Sequence, residues 1–191
     1  KVRSLNKNIT YRQSKNYIFS KDLPYWVIYR NARFDDVFAK MDFGIFDVFR
    51  DRQITNSNSE LQLNNNDDIR VLKSRNISDD GKKIIEIPNY DAYISQKNVS
   101  KMATFKYLND ETVYLTPNMS YKPRVMKKPT GVVTNGSLAI LIPKKNVSLT
   151  ERQRSYFSTK EYREFYQIAR NYQTRSLNID KTSSYWFGAL K

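Results

Sequence analysis

The chain contains neither cysteine nor histidine. Without thiols it has no disulfide, no thiolate nucleophile and no Cys-based zinc finger; without imidazole it has no histidine base or histidine metal ligand. A cysteine-free chain fits a reducing, cytoplasmic setting. Glycine is scarce too: the 5 glycines stand alone at positions 44, 81, 131, 136 and 188, so neither a glycine-rich methyl-donor turn nor a phosphate loop can be built. FGIF around Gly44 does not make one. No two prolines are adjacent, which excludes the Asn-Pro-Pro-Tyr type of motif that holds a flipped adenine. No segment approaches the roughly 18 apolar residues of a membrane span, and the start KVRSLNKNIT lacks the apolar core of a signal peptide. A metal-dependent nuclease would want a Glu-x-Lys pair on a strand, but Glu86, though close to Asp79, Asp80, Lys82 and Lys83, is followed by Ile87 and Pro88. The chain reads as a binder with no catalytic residue, metal or cofactor of its own.

What it has in excess is positive charge. Among 191 residues, 33 Lys and Arg stand against 19 Asp and Glu, for a net charge of +14. The sequence pI is near 9.8. From Ser120 to Lys191, 14 basic residues meet 4 acidic ones, so that third of the chain carries most of the excess. Such a footprint fits nucleic acid, although an anionic membrane or an acidic protein would also be attracted. The first residue is Lys, which fits a piece of a longer protein.

Residues 1–20 read as a partly irregular N-terminal segment, with a short strand at Tyr17–Ser20, and residues 21–191 as one domain. Asp22 looks like a helix N-cap with Pro24 in the first turn, and Trp26, Val27, Arg30, Phe34, Val37, Phe38 and Met41 recur at helical spacing to near Met41. A strand follows from Phe43 through Ile45, Val48 and Phe49. The Asn- and Ser-rich stretch Thr55–Asp68 reads as a long, mobile loop. Ile69–Leu72 and Ile84–Ile87 read as strands joined through an Asp80-Gly81 turn, with Tyr90 and Tyr93 packing beyond them, and residues 96–112 read as weakly helical or irregular. After a basic linker, Ser158 and Glu161 form a capping-box pattern opening a helix whose face carries Tyr162, Phe165, Tyr166, Ala169 and Tyr172, with Phe157 placed to staple Tyr162. Leu177, Ile179, Tyr185, Trp186 and Phe187 predict a closing strand or packed segment.

The centre of the chain is Tyr114–Lys145. Val113–Leu115 and Leu138–Ile142 suit a half-buried pleated surface and read as strands. Between them, Pro117, Pro123 and Pro129 and the Asn135-Gly136 turn describe a projecting loop that carries Tyr121, Lys122, Arg124, Lys127 and Lys128 and no acidic residue. A run of one sign facing solvent repels itself unless a polyanion relieves it, and an aromatic ring adds a stacking face. Two further strand ends are polar. Arg50, Asp51, Arg52 and Gln53 follow one strand; Arg and Gln can pair bidentately with guanine and adenine edges, while an Arg-Asp surface ion pair is the alternative. Lys73, Arg75 and Asn76 follow the next. Lys127, Lys128, Lys144 and Lys145 suit phosphates, where cations add affinity without sequence information.

Taken in order, RDRQIT, DIRVLKSRNISDDG, YLTPNMSYKPRV, NGSLAILIP and YFSTKEYREFYQIARNYQTRSLNID resemble the C-terminal target-recognition region of adenine-N6 DNA methyltransferases from restriction-modification systems. The likeness spans residues 20–190 and is carried by strands with polar ends and by the FY-x-x-ARN helix. It implies an α+β domain, with a curved, mostly antiparallel sheet and peripheral helices, that sits across double-stranded DNA opposite an upstream catalytic domain. It also implies that S-adenosyl-methionine belongs to the parent enzyme and that this chain alone methylates nothing. Arg50, Arg52 and Gln53 match the family's groove-facing strand end, Lys73, Arg75 and Asn76 the next, and Tyr121, Lys122 and Arg124 the loop before the Gly-Ser strand. The layout is similar to half of a type I specificity subunit as well, and a basic RNA-binding protein is a further alternative.

Overall fold

Two apolar strands, Tyr114–Pro117 and Leu138–Pro143, lie side by side at the centre of the protein, paired antiparallel with Leu138 opposite Pro117 and Leu141 opposite Tyr114. The computed structural model describes residues 2–4, 9–120, 122–144, 147–172 and 179–191. In chain order its strands are β1 (Val2–Ser4), β2 (Ile9–Tyr11), β3 (Met41–Asp42), β4 (Phe46–Phe49), β5 (Asp68–Leu72), β6 (Ala92–Ser95), β7 (Tyr114–Pro117), β8 (Met126–Lys127), β9 (Val132–Thr134), β10 (Leu138–Pro143) and β11 (Ala189–Leu190). The helices are α1 (Lys15–Ile18), α2 (Ala32–Lys40), α3 (Gln96–Val99), α4 (Glu151–Tyr156), α5 (Lys160–Ala169) and α6 (Lys181–Tyr185), with 3-10 turns at Ser74–Asn76 and Ala103–Tyr107. The fold is α+β, and its sheets are mainly antiparallel.

The central sheet runs β4-β10-β7-β8, and a second sheet runs β6-β5-β9, in which β5 and β9 are parallel. β10 is buried on both faces rather than half-buried, and this explains its unbroken run LAILI. Ala139 and Leu141 join the large core with Phe34, Phe165, Trp186 and Phe187; Leu138 and Ile140 join a second core with Leu72, Val113 and Leu115. The large core is built from rings. Phe34 stacks on Phe165 with centroids 4.8 Å apart, and Trp186 meets both edge-on. A third, smaller cluster lies under the second sheet around Val71, Ile94 and Val133.

Several expected elements shift. The helix expected from Asp22 starts at Ala32, where Asn31 supplies the cap by accepting from the Phe34 amide at 3.1 Å. Trp26 therefore leaves the core stripe and is 68% exposed. Residues 15–18 form α1 instead of a strand at 17–20. Ile84–Ile87 makes only a single bridge, Ile77 to Ile84, across the turn at Gly81. Thr159, one residue beyond Ser158, caps α5, while Glu161 pairs with Lys40 at 2.8 Å. The capping box belongs instead to Thr150 and Gln153 at the start of α4, within the stretch read as a linker. The Phe157–Tyr162 contact is present, with ring centroids 4.8 Å apart. The closing segment is α6 followed by β11, which pairs with β3; Leu177 lies outside the described residues.

Candidate nucleic-acid interface

Strand direction decides where the basic side chains go. β4 and β7 are both antiparallel to β10, so they end toward its start, Phe49 opposite Ile140 and Pro117 opposite Leu138. β5 and β9 run parallel and end together at Leu72 and Thr134. The Asn135-Gly136 turn carries β9 straight into β10, so the two sheets present these strand ends on one rim. Side chains lock it. Arg50 Nη1 donates to Asn118 Oδ1 at 3.3 Å, Asn118 Nδ2 donates to the Gly136 carbonyl at 3.0 Å, and the Ser74 amide donates to Ser137 Oγ at 2.9 Å. Arg124 Nη2 then donates to the Ser74 carbonyl at 3.2 Å. The rim is thus continuous from Arg50 to Arg124.

The expected residues take different roles within it. Arg52 and Arg75 are exposed, Arg50 is half-buried, and Lys122 is exposed in an ion pair with Asp79 at 3.3 Å. That pair lies in solvent and holds Lys122 only weakly, by under about 1 kcal/mol, so an incoming phosphate can replace the carboxylate. Lys73 is only 8% exposed and packs its ammonium 4.2 Å from the Tyr90 ring centre instead of standing open to a ligand; burial pushes its pKa down, opposed by Asp91. Asn76 is fully buried; it accepts from the Lys73 amide and donates to Asp91 at 2.6 Å, so it braces the turn rather than facing a ligand. Arg124, only 8% exposed, is likewise a brace, and burial lowers its pKa against the pull of Asp79. Gln53 turns away from the rim, its Oε1 accepting from the Ala103 amide at 2.8 Å. Asp51 forms no surface ion pair with Arg50 or Arg52; it is buried and caps the amides of Gln53 and Ile54.

The central loop does not project. Its middle folds back as β8 and β9, and Pro123, Arg124, Val125 and Lys128 are buried. Lys127 pairs opposite Tyr114, and Lys144 follows Pro143 opposite Phe46, so both stand at the far end of the sheet from the rim, each beside an acid: Glu111 at 3.8 Å and Asp47 at 3.4 Å. Tyr121 and Lys145 lie outside the described residues. The basic set therefore divides between two ends of one sheet. Asn118, Ser74 and Ser137, which tie the rim together, carry no charge, and the reading of charged strand ends passed over them.

Lys128 is 1% exposed and is no surface phosphate contact. Its ammonium donates to the carbonyls of Leu108 and Pro129, both at 2.9 Å. Burial pushes its pKa down to about 8, opposed by Asp110. An unfolded lysine titrates near 10.4, so between these values the unfolded chain holds more protons and stability rises with pH. The stability of the wild type minus that of Lys128→Met is expected to climb from pH 8 to pH 10 by up to ~1.4 kcal/mol per pH unit. Denaturant unfolding at stepped pH measures it; a flat difference would mean the ammonium is fully hydrated.

Among the described residues no group of acidic side chains could hold a metal ion, and no helix is long and apolar enough to cross a membrane. No protein-family model matches the chain, and no curated protein is significantly similar to it.

Proposed function

We propose that this chain is the duplex-DNA target-recognition part of an adenine-N6 DNA methyltransferase of a restriction-modification system, working in the cytoplasm. Methyl transfer from S-adenosyl-methionine would be performed by an upstream catalytic domain of the parent enzyme. The observation that carries the reading is the shared rim, where the ends of β4, β5, β7 and β9 bring the accessible Arg50, Arg52, Arg75 and Lys122 together, with Lys73 buried beside them. Arginine forks on strand ends suit base edges in the major groove, and the exposed Lys122 suits a flanking phosphate. The resemblance in strand order and polar strand ends points the same way.

The test is binding of the chain to a randomised duplex pool, to single strands, to RNA and to heparin. Duplex affinity is expected to fall with salt at a slope of about −0.9 per phosphate contact on a log-log plot. Lys122→Ala is expected to weaken all duplexes alike and to flatten that slope by about 1, whereas Arg52→Ala costs about 1–3 kcal/mol on the preferred sequence only. Equal or tighter binding to RNA or heparin would sink the proposal.

A further inference from the structure

Resting on the reading just given, the geometry points to Tyr90 as a positioning residue that holds Arg75 ready to read a guanine. Arg75 Cζ lies 4.7 Å from the Tyr90 ring centre, and Lys73 Nζ lies 4.2 Å from the same centre. The ring also binds the turn itself, because its hydroxyl accepts from the Arg75 amide at 3.3 Å. Tyr90 is fixed in turn by its neighbours: Asn89 takes a left-handed backbone with φ of 59°, and the Tyr90 and Asp91 amides both donate to the Ile87 carbonyl at 3.0 Å. The acids able to capture Arg75 are engaged elsewhere. Asp91 is held by Arg70 at 2.9 Å and by Asn76, and Asp79 by Lys122 and Arg124.

Arg75 is thus exposed, and its guanidinium makes no hydrogen bond or ion pair with any described residue. A free arginine spreads over many rotamers and must be ordered when it binds. One resting on an aromatic face has lost part of that freedom beforehand, while its donors stay available for the paired O6 and N7 acceptors of guanine. Lysine cannot take over, since its ammonium is a point charge without a fork.

The experiment compares the affinity ratio of the selected duplex over a scrambled one for the wild-type chain, Arg75→Ala, Arg75→Lys, Tyr90→Phe, Tyr90→Leu and the Tyr90→Leu/Arg75→Ala pair. Arg75→Ala is expected to cut the ratio about 10- to 100-fold without rescue by Arg75→Lys. Tyr90→Leu should cut it about 3- to 10-fold with an unchanged salt slope. Tyr90→Phe, which keeps the ring, should retain most of the ratio, and the double variant should be no worse than Arg75→Ala alone. If Tyr90→Leu leaves the ratio intact while Arg75→Ala abolishes it, target recognition stands and the positioning role falls. A wild-type chain with no preferred duplex removes both.

Discussion

Gly188→Ala is expected to destabilise the protein by about 3 kcal/mol or more, a larger loss than an added methyl group would cause at any other glycine of the chain. A Cβ at this position would sit 2.3 Å from the Asp42 carbonyl oxygen and 3.0 Å from the Phe43 ring. The obstacle is backbone, so no rotamer change relieves it. Gly188 lies between Phe187, a fully buried ring of the large core, and β11, whose pairing with β3 places Leu190 opposite Met41. A shift that accommodates the methyl must therefore open either the strand pair or the ring packing. Gly131 provides the control. It has a left-handed backbone with φ of 71°, but nothing lies within 4 Å of an added Cβ, so Gly131→Ala should cost only backbone strain of about 1 kcal/mol. Denaturation midpoints of the two variants separate crowding from strain; equal losses would show that close approach at Gly188 does not matter.

The second large effect is expected at Asn118, which joins the fold to the rim. Its Oδ1 accepts from the buried Ile179 amide at 2.8 Å and from Arg50, while its Nδ2 serves the Gly136 carbonyl. Asn118→Ala leaves the Ile179 amide and the Gly136 carbonyl without these partners. An orphaned buried polar group costs about 1–3 kcal/mol, which puts the total near 2–4 kcal/mol. Arg50 also loses its anchor. Urea unfolding should show the stability loss, and duplex binding measured well below the melting point should show a further drop in sequence preference. Undiminished stability would mean that water replaces the amide, and Asn118 would then tie nothing together.

The sequence made the strands of the central sheet legible because β10 and β7 are short apolar runs bounded by Pro and Asn-Gly, the punctuation that pleated segments need. Helix α5 was legible from its aromatic spacing, although its cap fell one residue from the expected Ser158, since Ser158 and Thr159 offer the same chemistry and only the backbone chooses between them. The helix expected from Asp22 misled because apolar spacing extends upstream of the true start, and Asn31, which caps Ala32–Lys40, offers the same capping chemistry as Asp22. For the rim, the ends of β4, β5 and β7 that carry Arg50, Arg52, Lys73, Arg75 and Lys122 lie on one side of the fold, a grouping that follows from strand pairing. Lys127 and Lys144 stand at the other end of the sheet, and Lys128 is buried. A basic run says nothing of which strand it will join or in which direction, and the far-end position of Lys127 follows only from its pairing opposite Tyr114. Nor does charge announce burial: Arg124 and Lys128 satisfy main-chain carbonyls inside the protein, a use that leaves no trace in composition.

Because β10 is seated between β4 and β7, neither of those earlier strands has its central neighbour until residues 138–143 exist. During synthesis at about 5–20 residues per second, two apolar strand edges would wait for several seconds, open to other nascent chains. A polypeptide that stops short of Ile142 should therefore collect in aggregates instead of folding into a smaller version of itself. The last third of the chain, with its surplus of positive charge, arrives in time both to close the sheet and to keep the nearly finished molecules apart.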